Sequence, residues 1–369
     1  MHFDQIRIQT LRNLSSVTLS DLAPLNIIHG ANGSGKSSII EAMHLLSSGR
    51  SFRTINPRHY IQHDSRETVI FAESSNHRIG LQKTTEQSLL RLDGNTVTQS
   101  DIARLLPVQL INPENMDLLD SGSKPRRQLL DWLMFHVERD FYPQWLRYQR
   151  ALKQRNSLLK VAHSHHTLLV WEQEMAQSGE LIHGLRLSVL TRWQQVFNDV
   201  IAEMLPDQEI SLGYVAGYDI ETGLAQALLD SRERDAERGH SLHGIHRADL
   251  RLKTPHGAAE QLLSRGQTKM LIIALKLSQM RLLHAEGHAS VVLLDDMTAE
   301  LDAAAQARLV QFLVALDCQI FLTTVDLPAV LTALREVAVD RAIYHLDHGQ
   351  LQHDPRLSHG YQDSPDRAG

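Results

Sequence analysis

Gly30-Ala31-Asn32-Gly33-Ser34-Gly35-Lys36-Ser37 stands between a short apolar run, Leu25-Asn26-Ile27-Ile28, and a segment in which Ile39, Ile40, Met43 and Leu46 recur at helical spacing. A strand, a glycine-rich turn and a helix in that order are the setting in which this pattern cradles phosphate. The glycines let backbone N–H groups curl around an anion without Cβ clashes. The N-terminus of the following helix adds its positive dipole end at the same point. Lys36 is placed to reach β- and γ-phosphates, and Ser37 offers a hydroxyl to Mg²⁺. The chain therefore reads as an α/β protein with a phosphate loop built from residues 30–37.

The other half of such a site lies far downstream. Val291-Val292-Leu293-Leu294-Asp295-Asp296 reads as a buried parallel strand ending in two carboxylates. Asp295 is expected to hold Mg²⁺, and Asp296 to act as base or to orient water. Just upstream, Leu263-Ser264-Arg265-Gly266-Gln267 precedes a predicted helix over 266–283, and Thr298-Ala299-Glu300-Leu301-Asp302 follows the carboxylates. This order resembles the signature and D-loop of ABC-type ATPases, with arginine in the third place of the signature. The resemblance implies that Ser264, Arg265, Gly266, Gln267 and Asp302 act in trans, closing over ATP held by a second copy of the chain. A serine hydroxyl, a glycine N–H and a helix N-terminus all suit an anion.

Bulk properties set limits. The 369 residues, 42% hydrophobic, are enough for one large or two ordinary domains. No run of about 18 apolar residues predicts a membrane span, and the start, MHFDQIRIQT, has no secretory pattern. A single cysteine, Cys318, excludes an internal disulfide and fits a reducing cytosol. The net charge of −6 means that any contact with DNA must come from local basic patches.

Outward from the loop, strands are predicted over 5–8, 68–74, 78–82 and 89–92, with a turn at Asp93-Gly94-Asn95, as an antiparallel meander beside the nucleotide core. One more strand is expected over 107–111. Helical periodicity runs from 124 to 205. The charged stretch 230–239 is expected to be exposed or mobile. Strands are predicted over 291–294 and 319–323, helices over 302–316 and 328–337, and a closing hairpin around Asp347-His348-Gly349. The expected organisation is an ATPase lobe over 1–115, a helical insert over 116–240, the rest of the ATPase lobe over 241–354, and a disordered tail over 355–369.

The chain also resembles the RecF family along nearly all of its length. The resemblance rests on Leu11-Arg12-Asn13, the phosphate loop with its helix, Gly49-Arg50-Ser51-Phe52-Arg53, Pro113-Glu114, Lys124-Pro125-Arg126-Arg127, Leu130-Asp131, the segment from Gly244 to Leu250, and the signature and carboxylate motifs. It implies an ABC-type P-loop ATPase head, a mixed sheet plus an antiparallel meander, with an inserted helical lobe that lacks a long coiled coil. It implies a cytoplasmic recombination mediator of gap repair, replication-fork recovery and SOS induction. Such a protein is an ATP-gated dimer and a weak, DNA-stimulated ATPase on single-stranded, double-stranded, gapped or junction DNA. Its implied partners are RecO and RecR and, through them, RecA; its implied cofactors are ATP and Mg²⁺. The resemblance further implies that Arg12 and Asn13 touch the nucleotide; the alternative is a surface loop after the first strand.

Two departures stand out. Asp296 occupies a place where many relatives have glutamate, which suggests slow hydrolysis. No histidine follows the strand over 319–323, where the sequence is Thr324-Val325-Asp326, so the γ-phosphate sensor is unassigned. Gln109 is either a further Mg²⁺ ligand at a strand end or an ordinary strand residue. Two basic clusters are candidates for DNA: Lys124, Arg126 and Arg127, and a helical stripe of Arg150, Lys153 and Lys160 opposite Tyr148, Leu152 and Leu159. The alternative for each is a solvated face. His163, His165 and His166 read as a solvated loop, since no cysteine or glutamate completes a metal set. His246 and Arg247 suggest a structural or interface role. An ABC transporter ATPase subunit is the competing function, opposed by the 259 residues that separate Lys36 from Asp295.

Overall fold

The structure is a computed structural model of the chain and describes residues 2–112, 118–160, 165–296, 301–335 and 337–354, the side chains of 165 and 166 aside. Pro113-Glu114, His163, Thr298-Ala299-Glu300 and the tail beyond Asp354 lie outside the described residues. The first third contains β1 (Gln5–Leu11), β2 (Leu14–Leu19), β3 (Leu25–His29), α1 (Lys36–Ser48), β4 (Glu67–Glu73), β5 (Arg78–Thr84), β6 (Ser88–Leu92), β7 (Asn95–Thr96), α2 (Gln99–Leu105) and β8 (Val108–Ile111). The middle contains α3 (Ser123–Val137), α4 (Phe141–Leu158), α5 (His165–Met204), β9 (Ser211–Val215), α6 (Gly223–Asp230), α7 (Arg232–Arg238), β10 (Asp249–Thr254), β11 (Gly257–Ala258), α8 (Ala259–Leu262) and α9 (Arg265–Ala285). The last part contains β12 (Val291–Leu294), α10 (Ala303–Ala315), β13 (Gln319–Thr324), α11 (Leu327–Ala333), β14 (Arg341–Asp347) and β15 (Gln350–His353).

The chain divides into two compact units, one of Met1–Asn115 with Leu283–Gly369 and one of Met116–Leu282. The division places 241–282, expected in the ATPase lobe, with the helical middle. The physical reason is strand pairing: β10 pairs antiparallel with β9, and β11 with β10, so the signature segment follows a small three-stranded sheet of the middle unit.

In the first unit one sheet is antiparallel, in the order β2-β1-β4-β5-β6-β7, and the second has the order β15-β14-β3-β13-β12-β8. In the second sheet β14, β3, β13, β12 and β8 run parallel, with β15 antiparallel at one edge. β8, β12 and β13 are buried along their whole length, as expected of parallel strands covered on both faces. Helix α1 contacts β1, β4 and β5 of the antiparallel sheet and β8, β12 and β13 of the parallel one. It is buried nearly all round, Ile39, Ile40, Met43, Leu45 and Leu46 at zero exposure. A helix apolar on every side belongs between two layers.

The middle unit is built on α5, a 40-residue helix roughly 60 Å long at 1.5 Å per residue. α3, α4, α6 and β9 share its length as neighbours, so no single partner helix follows it as a coiled coil. Trp193 Nε1 donates to Ser278 Oγ at 2.7 Å, joining α5 to α9 in the core.

The stretch 230–239 is mostly exposed, as expected, but it is ordered around one buried acid. It closes α6 and forms α7, and Asp235 is fully buried. The cause lies on α4: Arg155, also fully buried, donates to Asp235 Oδ2 at 2.7 Å, to Glu172 Oε1 at 3.1 Å and to Ser241 Oγ at 2.8 Å. Glu172 also accepts from Arg232. His246 is structural. Its Nε2 donates to Ser241 O at 3.1 Å, which leaves Nδ1 to accept from the Tyr148 hydroxyl at 2.7 Å, and burial lowers its pKa to about 4.

Replacing Arg155 by alanine leaves the buried Asp235 carboxylate without its cation and Glu172 with Arg232 alone. The expected loss of unfolding free energy is about 3–5 kcal/mol, read as a lower urea midpoint, while Lys153→Ala on the exposed side of the same helix changes it by less than about 0.5 kcal/mol. Equal midpoints for the two variants would contradict the network.

Candidate nucleotide site

The loop between β3 and α1 is fixed from three sides. A Cβ on Gly30 would lie 2.2 Å from the Leu346 carbonyl oxygen of β14, so only glycine fits there. Gly33 and Gly35 have φ of 79° and 114°, the left-handed region that glycine enters freely. The Gly349 N–H, in the β14–β15 turn, donates to Ser34 O at 3.1 Å. Asn13 braces the other flank, donating from Nδ2 to Gly33 O at 3.2 Å and accepting from Ser38 Oγ at 3.2 Å. Ala31, Asn32 and Gly33 are exposed at the tip.

Lys36 bends back over its own loop, Nζ donating to Gly30 O at 2.9 Å and Ala31 O at 3.0 Å. Burial lowers its pKa, against the pull of Asp296 and Asp295. Ser34 Oγ is buried with no hydrogen-bond partner, a polar group turned into a loop made of N–H donors. The loop therefore fits a phosphate chain, with Gly30, Ala31, Asn32, Gly33, Ser34, Gly35, Lys36 and Ser37 as its lining.

The carboxylates arrive on β12, two strands away from β3. Ser37 Oγ donates to Asp295 Oδ1 at 2.9 Å, joining the start of α1 to the end of β12. Thr323, on the strand between, donates to the same oxygen at 2.8 Å and accepts from the Asp296 N–H at 3.0 Å. Burial raises the pKa of Asp295, while the hydrogen bonds from Thr323 and Ser37 oppose that shift. Asp296 has φ 47°, and its Oδ1 is buried without a hydrogen-bond partner. A hydroxyl beside a carboxylate is a hard-oxygen pair of the kind Mg²⁺ takes, so Ser37 and Asp295 fit that ion.

Other expected residues are placed differently. Gln109 sits opposite Val292, three residues before Asp295 on the neighbouring strand, so about 10 Å of strand separates the two levels. It is a buried strand residue and not a ligand beside Asp295. Register puts Asn112 there instead: Ile111 pairs with Leu294, the Asp295 N–H donates to Ile111 O at 2.9 Å, and Asn112 Oδ1 is buried without a partner. Thr323 was equally invisible as a site residue in sequence; only strand order shows that β13 lies between β3 and β12. Arg12 is bound to Glu41 through Nε and Nη2 and to His59 O at 3.1 Å, so its guanidinium is held by protein groups.

The signature segment caps α9. Ser264 Oγ accepts from the Gln267 N–H at 3.3 Å and Gln267 Oε1 accepts from the Ser264 N–H at 2.9 Å, a reciprocal capping box. Ser264, Arg265 and Gly266 are exposed. Asp302 caps α10, accepting from the Ala305 N–H at 2.8 Å.

The first basic cluster is mostly structural. Arg126 forms a bidentate pair with Asp249 at 2.9 and 3.0 Å, and Arg127 donates to Ser123 Oγ and Ala248 O. Lys124 alone of the three is exposed. In the second cluster Arg150 and Lys153 are exposed on α4, with Arg150 lying 5.8 Å from the Trp171 ring centroid. Lys160 is exposed but lies beyond the end of α4, so the expected three-residue helical stripe is two residues long. Among the described residues no group of three or more His, Cys, Asp or Glu is placed to hold a metal, and no helix is long and apolar enough to cross a membrane.

Comparison with known proteins agrees with this geometry. The family model described as RecF/RecN/SMC N terminal domain matches residues 2–343. The chain is 48% identical over 355 residues to the DNA replication and repair protein RecF of Acinetobacter baumannii, covering 95% of this chain and 99% of that protein. It is 49% identical, with the same coverage, to the RecF protein of Acinetobacter baylyi. A solved structure described as the recombination mediator protein RecF with ATP in the RecFOR pathway superposes with a TM-score of 0.84 at 23% identity, covering 96% of this chain and 97% of that one. An Smc head bound to the C-winged helix domain of ScpA superposes with a TM-score of 0.60 at 13% identity, covering 96% and 97%. The two structural likenesses show a shared fold, and the family model together with near-half identity along almost the full length of two curated relatives shows more: this chain belongs to the RecF family.

Proposed function

We propose that the chain is an ATP-gated, DNA-binding recombination mediator that works as a homodimer in the cytoplasm. The observation that carries this reading is the convergence of the Ser37 and Thr323 hydroxyls on one Asp295 oxygen beside a complete phosphate loop, in a member of the RecF family. Lys36 exchanges its two loop carbonyls for phosphate oxygens. Ser37 and Asp295 would hold Mg²⁺, which when bound neutralises phosphate charge. Asp296, turned by its left-handed backbone and with one carboxylate oxygen unpaired, orients the attacking water. Asn112, level with Asp295, is the polar group placed to sense that water or the ion.

Ser264 supplies the second half from another copy. Its oxygen accepts from its own helix, which leaves the O–H free to donate to a γ-phosphate, and the exposed start of the 21-residue helix α9 adds its dipole. Binding of ATP then closes two copies, and weak, DNA-stimulated hydrolysis opens them. The DNA, single- or double-stranded, gapped or at a junction, is met by the exposed cations Lys124, Arg150, Lys153 and Lys160 through its phosphates. Following the family, the clamp acts at gaps and stalled forks with RecR and RecO, helps RecA onto DNA and so supports SOS induction.

The decisive experiment is mass by light scattering with and without ATP–Mg²⁺ on gapped DNA. A monomer that dimerises with ATP and stays on DNA is the expected result; an unchanged monomer that ignores DNA would sink the clamp. In the same assay Lys36→Met removes nucleotide binding with the fold intact, and Ser264→Arg binds ATP without dimerising. Normal dimerisation by the Ser264 variant would disprove the trans site. Thr323→Val, which keeps shape but removes the hydroxyl that joins the Asp295 carboxylate to the Asp296 backbone N–H, lowers the hydrolysis rate by roughly ten- to a hundredfold with ATP affinity nearly unchanged; an unaltered rate would remove Thr323 from the machinery.

A further inference from the structure

Strand alternation gives the antiparallel sheet two unlike faces. Ile6, Ile8, Ile70, Ala72, Ile79 and Leu81 turn inward and are buried. Arg7, Phe71, Gly80 and Arg91 turn outward, both arginines exposed and the other two partly so. These four stand in one row across the strands: Arg7 pairs with Phe71, Phe71 with Gly80 and Gly80 with Arg91. The Arg7 guanidinium lies over the Phe71 ring, 5.9 Å from its centroid. On the β5 side the place beside the ring is empty. Gly80 has no side chain, and a Cβ built there would meet nothing within 4 Å. Arg91 bounds this gap from β6. The depression that Phe71, Gly80 and Arg91 line runs to the β4–β5 turn and holds about 800 Å³.

The width of the gap sets what it takes. β5 lies between β4 and β6, so the Phe71 and Arg91 backbones stand about 9.6 Å apart, at roughly 4.8 Å per strand. A planar ring between two flat groups needs about 7–8 Å, at roughly 3.5–4 Å per contact. Side chains on a sheet stand roughly perpendicular to it, so the three planes can lie parallel. Charge narrows the choice further. The acids of this face are already engaged: Glu73 accepts from Arg78 Nε at 2.9 Å, Glu67 from Gln82 Nε2 at 2.7 Å, and Asp93 from the Arg78 N–H at 2.8 Å with His77 Nδ1 at 2.9 Å. Arg7 gives its Nε–H to a neutral group, Gln5 Oε1, at 2.8 Å. Among the described residues the Arg91 side chain makes no hydrogen bond or ion pair. Two cations thus flank a slot the thickness of one ring, with no carboxylate paired to either.

We propose that this face of the antiparallel sheet binds single-stranded DNA, one unpaired base lying over Gly80 between Phe71 and Arg91, with Arg7 and Arg91 drawing the phosphates on either side. The inference rests on the DNA-binding reading above and adds a second surface, on the unit that carries the phosphate loop. An unpaired base brings a planar ring and a phosphate on each side of it, whereas a duplex keeps its rings paired and stacked. Recognition by stacking suits any base, so the face selects strandedness and not sequence.

The test uses the full chain with ATP–Mg²⁺ and reads the anisotropy of a labelled oligothymidylate and of a labelled duplex. The decisive variant is Gly80→Val, which alters no charge, suits a strand and fills only the gap. It is expected to weaken single-strand binding by about five- to a hundredfold, the range for losing one stacked base, and duplex binding by less than about twofold. Phe71→Ala gives the same selective loss, and Phe71→Tyr, which keeps the ring, retains the parent's affinity. Arg91→Ala lowers the salt dependence of single-strand binding by about 0.7 in log–log slope, the share of one phosphate, while Gly80→Val leaves that slope unchanged. If Gly80→Val and Phe71→Ala both bind the oligothymidylate like the parent, the inference is overturned, and a flat side chain of a partner protein becomes the occupant of the gap. Equal losses on both DNA forms overturn it too, since a stacked base is absent from the duplex contact. If the parent binds neither DNA, the DNA-binding reading itself fails and takes the inference with it.

Discussion

The burial of α1 between two sheets is the constraint on which the rest of the first unit depends. Its side chains contact the antiparallel sheet on one side and the parallel sheet on the other. Ile39, Ile40, Met43, Leu45 and Leu46 are fully buried, each contributing about 1.5–3 kcal/mol. A helix held on all sides cannot shift along its axis without disturbing both layers. Its N-terminus is therefore a fixed point, and the loop from Gly30 to Gly35 inherits that rigidity. Even the glycines answer to packing: Gly30 is required by the approach of β14, not by the anion alone.

A second dependence runs across the parallel sheet. β13 lies between β3 and β12, so a threonine at its C-terminal end reaches the Asp295 carboxylate and the Asp296 backbone N–H just past β12. The left-handed backbone at Asp296 carries a local cost on the order of 1–3 kcal/mol. Its N–H bond to Thr323 helps hold that conformation, and the result is a carboxylate oxygen left unpaired beside a phosphate loop. Strain and an orphaned polar atom at one residue are what a site built for a ligand looks like before the ligand is considered.

The middle unit shows how misleading a count of cations is. Arg126, Arg127, Arg147 and Arg155 all lie in or near the stretches rich in basic residues, yet each is engaged by a carboxylate, a carbonyl or a hydroxyl of the same unit. They fix the position of α3 against β10, and of α4 against α5 and α7. Of the two basic clusters read from the sequence, Lys124, Arg150, Lys153 and Lys160 remain exposed. The same residue type serves stability or ligand binding according to whether a buried acid stands opposite.

The sequence by itself determined the phosphate loop, the strand ending in Asp295 and Asp296, the capped signature helix and the family, because each depends on residues adjacent in the chain. Local spacing is enough to place a lysine at a helix start or a serine three residues before a glutamine. Tertiary structure alone decided what lies opposite what. The register of β8 against β12 moved Gln109 away from the site and brought Asn112 level with Asp295. That Asp235 is buried within a mostly exposed charged segment was hidden because its counter-ion, Arg155, is 80 residues away in sequence. Arg12 reads as an ordinary loop arginine in the linear chain, and only the buried carboxylate of Glu41 shows that it is held by the protein. Pairing between distant residues is an energy of contact, and contact is fixed by packing, which no local pattern encodes.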